Sequence, residues 1–184
     1  MRRILAPILL LTFLFPSLAY GVTLDDLVKR DDIYYKNFSD VPFTGKTTGE
    51  EQGTFKDGQR DGPWVTYRAN GQLHSKGTFQ DGKEHGPWVY YHENGQLSSK
   101  WTYKDGKQQG PSVIYHDNGQ LWFKWTYKEG RREGSWVSYW DNGQLWSKGT
   151  YKDDEREGPW VSYKKDGTVN LKWTGIFKNG VKVK

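Results

Sequence analysis

A 24-residue period constrains this chain more than any other feature of its sequence. Gly62 opens the copy GPWVTYRANGQLHSKGTFQDGKEH and Gly86 opens GPWVYYHENGQLSSKWTYKDGKQQ. Gly110 opens GPSVIYHDNGQLWFKWTYKEGRRE, Gly134 opens GSWVSYWDNGQLWSKGTYKDDERE, and Gly158 opens an altered copy. Gly53 to Gly58 is the second half of a preceding unit, and Gly175 to Gly180 closes the last unit after a two-residue insertion. A fixed period of this length describes an array in which each unit leans on its neighbours.

Each unit carries two turn signals. One is Asn-Gly at 70–71, 94–95, 118–119 and 142–143, replaced by Asp166-Gly167. The other is Asp-Gly or Glu-Gly at 57–58, 81–82, 105–106 and 129–130, with Asp153-Asp154 in the fourth copy. Gly, Asn and Asp occupy positive φ at low cost, so these pairs predict hairpins between short strands. The expected fold is all-β: an elongated, single-layer antiparallel β-meander of 24-residue hairpin repeats with about ten to twelve strands.

Turn length decides the faces. Two-residue turns pair Arg68 with Leu73 and Trp64 with Gly77, whereas three-residue turns with a glycine bulge pair Tyr67 with Leu73 and Val65 with Ser75. A mixture would flip the faces at every repeat. The three-residue register gathers the Val65, Tyr67, Leu73 and Phe79 columns on one face and is the expectation taken here. The other face then carries Trp64, Trp88, Trp136 and Trp160, with Trp122 and Trp146 on adjoining strands. Lys76, Lys100, Lys148 and Lys172 would stand opposite the first four, with Lys124 in the same column where Ser112 interrupts the tryptophans. Trp64, Trp88, Trp122, Trp136, Trp146, Trp160, Lys76, Lys100, Lys124 and Lys148 are therefore the candidate binding face, on the reasoning that Lys stems lie over indoles.

Composition agrees with strands. The 184 residues include 10 Trp, 12 Tyr, 8 Phe and 22 Gly, a balance that excludes a helical domain. The absence of cysteine excludes disulfides and thiolate chemistry. Residues 1–19, MRRILAPILLLTFLFPSLA, have the basic start, apolar run and small −3 and −1 residues of a secretory signal peptide. Residues 20–52 form a lead-in and 53–184 the repeat domain. The expected location is periplasmic or secreted, with membrane attachment only through an uncleaved signal.

Net charge is +5, or +3 without Arg2 and Arg3. Charges alternate in short stretches such as Lys104-Asp105-Gly106-Lys107 with no basic run, which argues against nucleic acid and for a solubilising surface. Of the four histidines only His92 and His116 share a column. Equivalent positions lie two strands, about 10 Å, apart, too far for a shared metal. No motif places a Ser near a His and an acid, and no glycine loop suits a phosphate. The expectation is a non-enzyme without cofactor.

The motif G-P-W-V-x-Y-x-x-N-G-Q-L, followed by K-x-T-Y-K-D-G-K, resembles the MORN repeat variant over residues 53 to 180. More specifically it looks like the bacterial variant found in YwqK-type proteins described as antitoxin components. The lead-in segments Asp31 to Tyr35 and Val41 to Lys46 also resemble the start of that variant. The resemblance implies an elongated meander and a scaffold role with no catalytic residues to carry over. The functional expectation is an exported interaction protein that binds another protein, in one version a toxin as its immunity factor. Two alternatives are a cell-wall or polysaccharide-binding module using the Trp/Lys face, and a phospholipid-binding protein.

Overall fold

The computed structural model describes residues 21–184, and the signal peptide read over residues 1–19 lies outside the described residues. Leu27–Arg30 and Ile33–Lys36 make a small hairpin of their own. From Gly45–Thr47 to Val181–Lys182 the chain forms one sheet of sixteen strands whose main path follows chain order. This is the single-layer antiparallel meander that the repeat predicts.

The two turn signals fold differently. At Asp57-Gly58 both residues have positive φ, 49° and 76°, a two-residue turn that pairs Lys56 with Gln59. At Asn70-Gly71 only the glycine does, at 80°. There Gly71 N–H donates to the Arg68 carbonyl and Arg68 N–H to the Gln72 carbonyl, both at 2.8 Å, giving the three-residue turn that pairs Tyr67 with Leu73. The structure thus contains the mixture expected to flip the faces.

Two irregularities prevent the flip. His74 is one residue too many: the ladder passes from Tyr67–Leu73 to Thr66–Ser75, then to Val65–Lys76 and Trp64–Gly77. A second shift near Gly86, whose φ is 73°, separates the Phe79–Glu84 pair from the Lys76–Val89 pair by two residues, and an even shift leaves the faces unchanged. The expected pairing of Val65 with Ser75, and of tryptophans with lysines, is therefore corrected. Trp64 faces Gly77, Trp88 faces Trp101 and Trp136 faces Gly149, while the lysines face valines. The tryptophans share their face with Phe55, Phe79, Tyr103, Tyr127, Tyr151 and Phe177; the Val, Tyr67-type and lysine columns take the other.

Across the sheet the tryptophan row reads Gly53, Trp64, Gly77, Trp88, Trp101, Ser112, Trp125, Trp136, Gly149, Trp160, Gly175. A Cβ on Gly53, Gly77 or Gly149 would come within 2.0, 2.1 or 2.2 Å of the next indole, so these indoles lie flat on bare backbone. Where Trp101 takes the glycine position, Ser112 replaces the neighbouring tryptophan and is 1% exposed. The exchange of large for small explains the one break in the Trp column.

Phe and Tyr rings stand edge-on between the indoles: Phe55–Trp64 at 5.4 Å, Trp64–Phe79 at 5.5 Å, Phe79–Trp88 at 5.1 Å and Tyr151–Trp160 at 5.1 Å. The result is a buried strip along one face, with Trp64, Trp88 and Trp160 at 1%, 5% and 3% exposure. The expectation of rings spread as cover over both faces gives way to a linear core. Tyr34 and Phe43 of the lead-in pack against Phe55 and close the N-terminal end of this strip, as a cap does in a repeat array.

Candidate functional site

A second row on the ring face lies nearer the Asn-Gly turns. In the order of the strands it reads Thr66, Ser75, Tyr90, Ser99, Ile114, Phe123, Ser138, Ser147, Ser162. Tyr90, Ile114 and Phe123 fill the middle of the array, and three buried serines follow. Where the row changes from ring to hydroxyl the surface sinks into an open cleft of about 520 Å³.

The serines are the floor. Ser138 Oγ donates to the Ser147 carbonyl at 3.3 Å and Ser162 Oγ to Ser147 Oγ at 3.0 Å. Phe123 forms one wall, 5.1 Å from Trp136 and 5.9 Å from Trp146. Trp136 meets a stacked Trp125 at 5.1 Å instead of a glycine, and it remains only partly buried. Trp140 and Trp146 flank the Asn142-Gly143 turn with ring centroids 4.9 Å apart. The Trp140 Nε1 hydrogen is buried without an acceptor among the described residues.

The opposite wall comes from the two-residue insertion in the last unit. Asn170 N–H donates to the Ser162 carbonyl at 2.8 Å and Ser162 N–H to the Thr174 hydroxyl at 2.9 Å, and Trp173 stands between them, 48% exposed. The Arg156 guanidinium lies 4.5 Å from the Trp160 ring and 5.6 Å from Trp173. Lys164 and Lys165 complete the rim. Lys165 pairs with Asp141 at 2.7 Å, and that bond holds the Asp141 carboxyl below the usual carboxylate range. Arg156 and Lys164 make no ion pair among the described residues, and no carboxylate lines the cleft. The site therefore combines flat apolar walls, hydroxyls and uncompensated positive charge, which suits an apolar or aromatic group carrying an anion.

The ten residues expected to form one binding face are dispersed. Trp136 and Trp146 line the cleft. Trp122, 38% exposed, stacks on His116 at 5.0 Å outside it. Trp64, Trp88 and Trp160 belong to the buried strip. Lys76, Lys100, Lys124 and Lys148 point from the other face, because the extra residue at each His74-type position moves them opposite the valines. Phe123, Trp140, Arg156 and Trp173 were not singled out in the sequence. Their signals were present as breaks in the period: Phe123 where other units have Ser, Trp140 where they have Arg, His or Lys, and the insertion before Trp173. His92 and His116 turn out to be struts between units, with Nε2 3.0 and 3.2 Å from the carbonyls of Tyr115 and Tyr139.

No curated protein matches the sequence. Among solved structures the chain is similar to one described as "Crystal structure of GtfA/B complex bound to UDP and GlcNAc", at 10% identity and a TM-score of 0.21. The similarity covers 89% of the present chain and 28% of that one, so the chain spans less than a third of its length. The family model described as "MORN repeat variant" matches residues 60–81, 84–105, 108–129 and 132–153, in step with the hairpin units. With four matched copies inside one continuous meander, the chain belongs to the MORN repeat variant family.

Proposed function

We propose that the chain is an exported, non-enzymatic interaction protein that holds a segment of a partner protein in the ring-lined cleft. One observation carries this reading: a serine-floored stretch of the ring face is walled by Phe123, Trp136, Trp140, Trp146 and Trp173 and rimmed by Arg156 and Lys164, which make no ion pair among the described residues. Trp and Arg supply much of the binding energy at protein interfaces because they bury large area with little conformational loss. The rim charge selects an acidic segment, and the walls select an apolar or aromatic side chain within it. The serine hydroxyls bond one another and backbone, which supports binding rather than nucleophilic chemistry. Export rests on the signal peptide read over residues 1–19, and a toxin as partner rests on the resemblance to YwqK-type proteins.

The test is capture from the periplasm or culture fluid with the mature protein and with a Trp140→Ala/Trp146→Ala variant, followed by titration of the purified partner against both. A partner retained by the first and weakened at least tenfold with the second is the expected result. Equal affinity for the two proteins would remove the cleft from the proposal.

A further inference from the structure

Charges that alternate along the sequence become ordered on the lysine face. Lys76 stands between Val65 and Val89, Lys100 between Val89 and Val113, Lys124 between Val113 and Val137, and Lys148 between Val137 and Val161. One lysine per unit, at every second strand, gives a straight row with a spacing of about 10 Å. All four are exposed, and none makes an ion pair among the described residues.

The adjacent row on this face pairs Pro63, Pro87, Pro111 and Ser135 with Thr78, Thr102, Thr126 and Thr150, so no carboxylate stands in the lysine row or in these pairs. Glu133 and Glu157 lie across from Thr126 and Thr150 on the next strand, and their carboxylates accept from the turn amides of Asp153 and Asn179 towards the sheet edge. A surface built only for solubility intersperses both signs. Here four like charges sit about one screening length apart, where they still repel one another and where a matched line of anions relieves all four together.

We infer that the lysine face binds a linear acidic polysaccharide laid across the strands, one carboxylate per lysine. The choice of ligand follows from the spacing. An extended acidic glycan with one carboxylate per disaccharide has a charge period close to that of the row. A nucleic acid strand carries a phosphate about every 3.4 Å, so most of its charges would find no partner. Threonine hydroxyls and proline rings beside the row offer the polar and flat apolar contacts that sugars use. This site is on the opposite face from the cleft and does not depend on the function proposed for it.

The probe is end-labelled hyaluronate of about sixteen sugars, titrated with the full chain by fluorescence anisotropy over a range of sodium chloride. The expected result is saturable binding at low salt that weakens as salt rises, because the contacts between exposed charges are screened. Labelled dextran, which is uncharged, should not bind. Lys76→Gln/Lys100→Gln/Lys124→Gln/Lys148→Gln should weaken binding at least tenfold at low salt and lessen its dependence on salt. Lys29→Gln/Lys36→Gln/Lys172→Gln/Lys182→Gln removes the same net charge from the N-terminal hairpin and the C-terminal segment, outside this row, and should change affinity less than threefold. Thermal melts verify that both variants fold. No hyaluronate binding at low salt, or equal weakening by the two variants, overturns the inference. So does tighter binding of a single-stranded oligonucleotide of equal charge or of vesicles rich in anionic phospholipid.

Discussion

Gly77→Ala is the sharpest probe of how this sheet holds itself together. Gly77 does not have positive φ, so alanine brings no backbone strain and the effect is packing alone. The new methyl would lie 2.1 Å from the Trp88 ring and force the indole off the strand. Overpacking of this kind costs about 1–3 kcal/mol. The displaced ring also loses its edge contact with Phe79, worth about 0.5–1.5 kcal/mol, and strains the 3.2 Å bond from Trp88 Nε1 to the Thr78 carbonyl, worth about 1 kcal/mol. A total near 3 kcal/mol is expected in urea unfolding followed by tryptophan fluorescence and near-ultraviolet circular dichroism. The chain itself suggests the rescue: Gly77→Trp with Trp88→Ser recreates the Trp88–Trp101–Ser112–Trp125 order one unit earlier. The pair should lie within about 1.5 kcal/mol of the parent although each single change is severe, the signature of coupled neighbours. A loss below about 0.5 kcal/mol for Gly77→Ala, or a double variant as unstable as the two singles summed, refutes this account of the row.

Three further outcomes are expected. Ser138→Ile copies Ile114 onto the floor of the cleft; as a small-to-large change at a buried position it should cost about 1–3 kcal/mol of stability, while partner affinity falls at least tenfold in titration. Asn94→Ala removes the 3.0 Å bond that its Oδ1 accepts from Gln96 N–H and the 2.7 Å bond from its Nδ2 to the Asp117 carbonyl in the next unit. The cost is about 1–3 kcal/mol by urea unfolding, and hydrogen exchange should quicken at both the 94–95 and 118–119 turns. Burial, reinforced by Tyr103 and Glu84, pushes the Tyr90 phenol up to about 12. A raised pKa in the folded state means that the neutral form supports the fold. This contribution is complete below pH 10 and is lost as pH rises towards 12, so an alkaline titration should show a late phenol that Tyr90→Phe removes.

The turn positions and the single layer are legible because Asn-Gly and Asp-Gly fall at fixed places in every unit; the expected ten to twelve strands become sixteen in the main sheet, partly because the irregularity before Gly86, Gly110 and Gly134 splits one strand of each hairpin in two. The faces are not. The Asn-Gly turn does pair Tyr67 with Leu73, but the extra residue at His74 changes the register two residues later. Nothing in the identities His74, Ser98, Trp122 and Trp146 marks a bulge, and a 24-residue period is the same whichever register holds. Gly77 and Gly149 were the usable clue, since a strand glycine beside a tryptophan column signals a ring lying on backbone. The cleft escaped for a related reason. A search for repeated residues looks past the places where repetition fails, and Phe123, Trp140 and the insertion before Trp173 are such places.

The alternation of large and small residues in the tryptophan row also governs how such an array can grow by gene duplication. The unit carrying Trp64 and Gly77 begins with an indole and ends with bare backbone, so a tandem copy of it joins to itself without adjustment. The unit carrying Trp88 and Trp101 begins and ends with an indole. Copied in place, it would set Trp101 against a second Trp88, the same indole-on-indole seam that Trp125 and Trp136 already make as a stacked pair 5.1 Å apart. Lengthening this protein is therefore open to both kinds of unit, but a copy of the first adds a ring lying on bare backbone and a copy of the second adds a ring-on-ring seam of the kind that leaves Trp136 partly exposed.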